Sequence, residues 1–141
     1  MTTQIADSVT YKGETYYTYS TPFFYYRHSL KPKKRPRFYG IHTANYRGYI
    51  ADYELREDKL YLTKFEGNLI VEESDKTYYK VVGLDTIFPG QKEVFAEWFT
   101  GDLILNTEEQ LYEQARLGAS YSQNELYLQI EEGILKNAYM V

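Results

Sequence analysis

Tyr49-Ile50-Ala51-Asp52-Tyr53-Glu54-Leu55-Arg56 and Lys59-Leu60-Tyr61-Leu62-Thr63-Lys64-Phe65, joined by Glu57-Asp58, decide how this chain folds. In the first run Tyr49, Ala51, Tyr53 and Leu55 alternate with Ile50, Asp52, Glu54 and Arg56. In the second, Leu60 and Leu62 alternate with Lys59, Tyr61 and Thr63. A two-residue period sends successive side chains to opposite faces, so each run is a strand with one apolar face. An even-numbered loop sets Leu55 opposite Leu60 and Tyr53 opposite Leu62. An odd one would place Glu54 and Arg56 among the leucines, so the pattern itself selects the register.

The same signals extend outward in both directions. Residues 8–20 read as a hairpin, with Val9-Thr10-Tyr11 and Thr15 to Tyr19 as strands and Lys12-Gly13-Glu14 as the turn. Thr21-Pro22 then opens a short helix over Phe23 to Ser29, because proline suits the first helical position. Lys31 to Pro36 is an exposed loop. Downstream, Gly67-Asn68 ends the central hairpin and Glu72 to Lys76 is a polar loop. Tyr78 to Phe88 is a strand interrupted by Gly83, and Pro89-Gly90 is a turn. Val94 to Leu105 is a strand with Val94, Ala96 and Trp98 on one face and a bulge at Gly101. Thr107 and Gln110 form a capping box for a helix over 107–117, with Leu111, Tyr112 and Ala115 as its buried stripe. Glu125 to Glu131, a turn at Glu132-Gly133, and Ile134 to Val141 complete the set. The predicted class is mainly β (α+β): an antiparallel curved sheet, barrel or sandwich of seven to nine short strands, with one helix in the C-terminal half.

At 141 residues the chain matches one domain, 1–141. Aromatic residues make up 18% of it, with 17 tyrosines, a composition that suits a pleated, half-buried surface. The absence of cysteine excludes disulfides and thiolate zinc sites. No basic cluster followed by an apolar run opens the chain, and no apolar stretch approaches the ~20 residues of a membrane helix. A cytoplasmic location is expected, with no membrane partner.

Charge is unevenly distributed. Residues 15–51 hold Arg27, Lys31, Lys33, Lys34, Arg35, Arg37 and Arg47 and no acid, although the whole chain is net −4. Such a partition marks either an anionic partner or a basic segment lying against an acidic sheet.

Catalytic equipment is sparse. There is no nucleophile elbow, and the two histidines, His28 and His42, match no compact metal-ligand spacing. Paired carboxylates are abundant but uninformative: Asp52 and Glu54 share a strand face and could serve as an acid–base pair, but a solvated or Lys-paired face has the same pattern. No catalytic residue, metal or cofactor is assigned. Phe23 to His28, the cations of 31–35, and Arg37-Phe38-Tyr39 interleave rings with positive charge, as single-strand binders do.

Thr43-Ala44-Asn45-Tyr46-Arg47-Gly48-Tyr49-Ile50-Ala51, the Lys59-Leu60-Tyr61-Leu62 strand, Phe95-Ala96-Glu97-Trp98-Phe99-Thr100-Gly101-Asp102-Leu103, and Glu125-Leu126-Tyr127-Leu128 with Glu132-Gly133 resemble a group of small uncharacterised bacterial proteins. The likeness covers residues 40–135. Where the group often carries Cys-Trp this chain has Asn45-Tyr46, and where it carries Pro and Gly this chain has Asn106-Thr107. The resemblance implies a bacterial source and a β-rich fold, and brings no established activity.

The leading functional expectation is a non-enzymatic protein that binds another protein, of the immunity or antidote type. An acidic surface steers basic partners, and tyrosine suits interfaces. Two alternatives stand beside it: a small-ligand or oligosaccharide binder in a β-barrel mouth, and a single-stranded nucleic-acid binder through residues 23–39. The binding residues expected are Tyr46, Arg47, Glu97 and Trp98, with Lys33, Lys34 and Arg35 as an electrostatic contact. For Arg47 an ion pair with an acidic strand is the structural alternative.

Overall fold

The computed structural model describes residues 4–41, 43–118 and 124–141. Strands take 48% of the described residues and helices 19%, which makes the protein mainly β. In chain order the elements are β1 (Asp7–Tyr11), β2 (Glu14–Thr18), α1 (Pro22–Ser29), a 3-10 turn (Pro32–Lys34), β3 (Tyr49–Arg56), β4 (Lys59–Glu73), β5 (Lys76–Gly83), α2 (Leu84–Ile87), β6 (Val94–Phe95), β7 (Gly101–Leu105), α3 (Glu108–Leu117), β8 (Leu126–Glu131) and β9 (Ile134–Met140).

All nine described strands belong to one sheet, ordered β2-β1-β3-β4-β9-β8-β7, with β5 and β6 also paired to β4. The central hairpin has the predicted register, Leu55 opposite Leu60 and Tyr53 opposite Leu62. Glu57 and Asp58 both adopt positive φ (50° and 64°), the backbone that matches hairpin twist in a two-residue loop. Every strand pair is antiparallel except β1 with β3, which is parallel. That departure from an all-antiparallel sheet arises because α1 and a long loop separate the first hairpin from β3. The sheet coils until β2 and β7 meet at the single bridge Tyr17–Asn106, and it is not closed into a barrel.

β4 is the spine. It does not end at Gly67-Asn68 as predicted but runs on to Glu73, pairing with β5 on one edge and touching Phe38 at Leu69 on the other. Gly67 sits in mid-strand because the Phe38 ring occupies the space of its missing side chain. A Cβ there would lie 2.9 Å from that ring. Thr63 is a bulge residue, since Asp52 pairs with Lys64 while Tyr53 pairs with Leu62. The bulge turns both Leu62 and Phe65 inward and leaves Lys64 and Glu66 on the outer face.

Three other predicted elements differ. After Gly83 the chain forms the short helix α2 rather than more strand. Val94 to Leu105 is two strands, because a turn at Glu97-Trp98 interrupts it and Phe99 N–H bonds to Ala96 O at 3.1 Å. α3 has both bonds of the predicted capping box, yet buries no residue: Leu111 is half-buried while Tyr112 and Ala115 are exposed. The sheet opening is filled by α1 instead. Phe23 is fully buried against the rings of Tyr49, Phe65, Phe38 and Tyr26, and its N–H donates to Tyr53 Oη at 2.9 Å. Burying such a ring is worth roughly 1.5–3 kcal/mol, with more from edge-to-face contact. Among the described residues no helix is long and apolar enough to cross a membrane.

Candidate functional site

The outer face of the β3–β4 hairpin is roofed by two irregular segments. Residues 39–41 and 43–48 fold back on themselves, with Gly40 packed on the backbone of Tyr46 and Gly48 (φ 78°) on that of Tyr39. Side-chain Cβ atoms at these positions would lie 2.6 Å from Tyr46 O and 2.8 Å from Tyr39 O, so only glycine allows the crossing. Asn68 N–H then donates to Gly48 O at 2.9 Å and Asn68 Nδ2 to Tyr39 O at 3.1 Å, tying the loop to β4. The N-terminal segment is stitched to the loop in turn. Gln4 Nε2 donates to Thr43 O, Gln4 Oε1 accepts from Tyr46 N–H, and Ile5 N–H donates to Ala44 O.

Between these segments and the sheet lies a cleft of about 570 Å³. Its apolar walls are Ile5, Ile41, Ile50 and Val81, and its polar groups come from Asn45, Asp52, Lys64, Glu66 and Asn68. Asp52 Oδ1 accepts from Ser8 Oγ at 2.8 Å. Among the described residues neither Lys64 nor Glu66 has an ion-pair partner. Asn45 is 8% exposed, and its buried Oδ1 has no hydrogen-bond partner there.

Beneath the cleft, the fully buried Asp7 pairs with the partly buried Arg47. Arg47 Nη2 donates to Asp7 Oδ1 at 2.6 Å and Nη1 to Ile5 O at 2.9 Å, and the guanidinium stands 5.2 Å from the Tyr49 ring centroid. Ala51 N–H also donates to Asp7 Oδ1. Burial pushes the Asp7 carboxyl up to about 6, opposed by the Arg47 charge. Burial likewise pushes the Tyr49 hydroxyl to about 12 and that of Tyr53 well above its ordinary range.

The expected binding residues do not gather into one site. Arg47 takes its structural alternative, the ion pair with a strand carboxylate, while the adjacent Tyr46 side chain is 65% exposed. Trp98 is half-buried, stacked on Phe88 and tilted on Tyr26, with Nε1 donating to Pro22 O at 2.9 Å, whereas Glu97 points to solvent. Arg35 is held by the carbonyls of Leu30 and His28, leaving Lys33 and Lys34 exposed. Among the described residues no hydrogen bond, ion pair or ring contact links these three groups. The sheet is not closed into a barrel, so it has no barrel mouth for Trp98 to line. Comparison with protein-family models, curated proteins and solved structures finds no match.

The charge partition resolves in part. Arg37 pairs with Glu72 and Arg47 with Asp7, while Arg27 reaches Pro36 O. Lys31, Lys33 and Lys34 make no ion pair among the described residues. In the candidate acid–base pair, Glu54 bonds to Arg56 at 3.0 Å and Asp52 to Ser8. Among the described residues no group of three His, Asp or Glu stands where it could hold a metal ion. His28 packs on Phe24 and bonds to its carbonyl, and His42 lies outside the described residues.

Sequence reasoning missed Asn45, Lys64 and Glu66 as neighbours of Asp52. The two-residue period does mark Ile50 and Asp52 as outward, but the bulge at Thr63 shifts the phase for Lys64 and Glu66. Nothing local announces that residues 4–6, 39–41 and 43–48 fold over them.

Proposed function

We propose that this is a non-enzymatic protein that binds another protein, of the immunity or antidote type, and that it does so through the outer face of the β3–β4–β5 sheet. The observation that carries the reading is a group of exposed apolar side chains, of which Ile41 and Val81 line the cleft and Tyr39 and Tyr79 line a second recess formed with Ile70, Thr77 and Tyr78. Tyr39, Ile41, Tyr79 and Val81 are each at least 42% exposed, and the Tyr39 and Tyr79 rings meet at 5.3 Å. Exposed apolar side chains grouped around a polar recess mark interaction sites rather than ordinary surface. β5 adds a second element of recognition, because among the described residues it pairs only with β4 and leaves its other edge open.

The test uses the purified protein as bait against the products of its neighbouring genes, beside a Tyr79→Glu/Val81→Glu variant. A stoichiometric partner held by the wild type and lost by the variant supports the reading. Equal capture by both, or none by either, refutes it.

A second reading, single-stranded nucleic-acid binding, draws support from exposed Phe24 and Tyr25 near Lys31, Lys33 and Lys34, which make no ion pair among the described residues. A gel shift that weakens steeply with salt supports it, since phosphate-driven binding releases counterions. Against it, Phe23 is fully buried and Tyr26 and Phe38 are packed on the core, so half the interleaved rings are unavailable for stacking.

A further inference from the structure

We infer that the cleft between Asn45, Asp52, Lys64 and Glu66 seats one arginine side chain of the partner, an assignment that rests on the protein-binding reading above. Four observations converge. The cleft presents two carboxylates to one ammonium, leaving net negative charge. Glu66 is unpaired among the described residues, and Asp52 has one carboxylate oxygen, Oδ2, left after Ser8 takes the other. Asn45 is nine-tenths buried in the lining, with an amide acceptor that finds no donor among the described residues. Ile5, Ile41, Ile50 and Val81 supply an apolar passage suited to a methylene stem.

A guanidinium suits this set better than a compact ammonium. Its five N–H donors lie in one plane, so a single group can serve two carboxylates and a neighbouring amide. The stem of an arginine packs on apolar walls while its head stays polar. Lys64 has the opposite effect. Lying across from Asp52 in the ladder, it offsets part of the negative charge and weakens the seat.

The experiment is an amide-resolved NMR titration of the whole 15N-labelled chain with N-acetyl-arginine N-methylamide. The citrulline, lysine and glutamate equivalents are the comparison probes. Saturable shifts are expected at Gly48, Gly67 and Asn68 and at the Asn45 side-chain amide, with a dissociation constant of roughly millimolar order for so small a fragment. The neutral citrulline isostere and the glutamate probe should leave these signals in place, and the lysine probe should bind more weakly. Asp52→Asn/Glu66→Gln should weaken arginine binding tenfold or more. Lys64→Gln should tighten it several-fold, a gain that a misfolded variant cannot produce. Equal binding of citrulline, preference for glutamate or lysine, or no response to Lys64→Gln overturns the assignment. A partner captured equally by wild type and Asp52→Asn/Glu66→Gln overturns it while leaving the protein-binding reading intact. Probe binding with no protein partner refutes that reading instead, and identifies the occupant as a free guanidinium compound.

Discussion

Arg47 reaches across 40 residues of sequence to set its Nη2 atom 2.6 Å from Oδ1 of Asp7, a carboxylate with no exposed surface. Asp7 Oδ2 and Arg47 Nε remain buried without partners among the described residues, so neither charge is fully compensated. A buried pair of this kind is strongly destabilising to break from one side, because the surviving charge stays desolvated. It also anchors the cleft, since the same guanidinium holds Ile5 O.

The first prediction concerns pH. Burial raises the Asp7 carboxyl from 3.8 to about 6, so the folded state binds its proton more tightly than the unfolded chain. The resulting stabilisation is fully present below about 3.8 and is lost as pH rises through 6. Relative to Asp7→Asn, which does not titrate there, the wild type should gain about 2 kcal/mol between pH 7 and pH 4. Urea unfolding of both proteins across that range checks the sign.

Removing one hydroxyl tests how α1 is held. Tyr53 Oη accepts the buried Phe23 N–H at 2.9 Å, and Tyr53→Phe leaves that donor unsatisfied. A loss of about 1–3 kcal/mol is expected. Hydrogen exchange should show reduced protection at the Phe23 amide beyond the global change.

Two hairpin glycines should respond differently to alanine. Gly13 and Gly133 share nearly the same φ, 81° and 80°, but a Cβ at Gly13 meets nothing within 4 Å. At Gly133 it would lie 2.7 Å from Ala96 O. Gly13→Ala should cost roughly 1–2 kcal/mol, the strain of the left-handed backbone alone. Gly133→Ala adds a backbone clash where Leu60 N–H bonds to Gly133 O, and should cost about 2–5 kcal/mol in chemical denaturation.

The cap of α3 should matter locally and little elsewhere. Thr107 accepts from Gln110 N–H at 3.1 Å, and Thr107→Ala should destabilise the helix by about 1 kcal/mol. Because no residue of α3 is buried, the global unfolding midpoint should hardly move. Faster amide exchange at Gln110 and Leu111 is the expected signature.

The central hairpin was legible down to its register, because Leu55, Leu60, Tyr53 and Leu62 can share a buried face in only one alignment. Gly67 misled, since a glycine in mid-strand looks like a stop until the Phe38 ring beside it is known. Trp98 misled in another way. Its indole N–H is spent on Pro22 O, a contact across 76 residues that no local pattern encodes. Leu111, Tyr112 and Ala115 do lie at helical spacing, but spacing cannot reveal whether a face finds a neighbour to cover it.

Alternation of apolar and polar residues, turn chemistry and the capping box were sufficient for the mainly β class, the hairpins and α3, since these depend on interactions between residues close in the chain. The coiling of the sheet, the seating of Phe23 in its opening and the roof of residues 4–6, 39–41 and 43–48 over Asp52 and Glu66 came only with the tertiary structure. They rest on contacts whose strength depends on shape and burial among distant segments. The cleft belongs to that second group, which is why its residues drew so little notice in the chain.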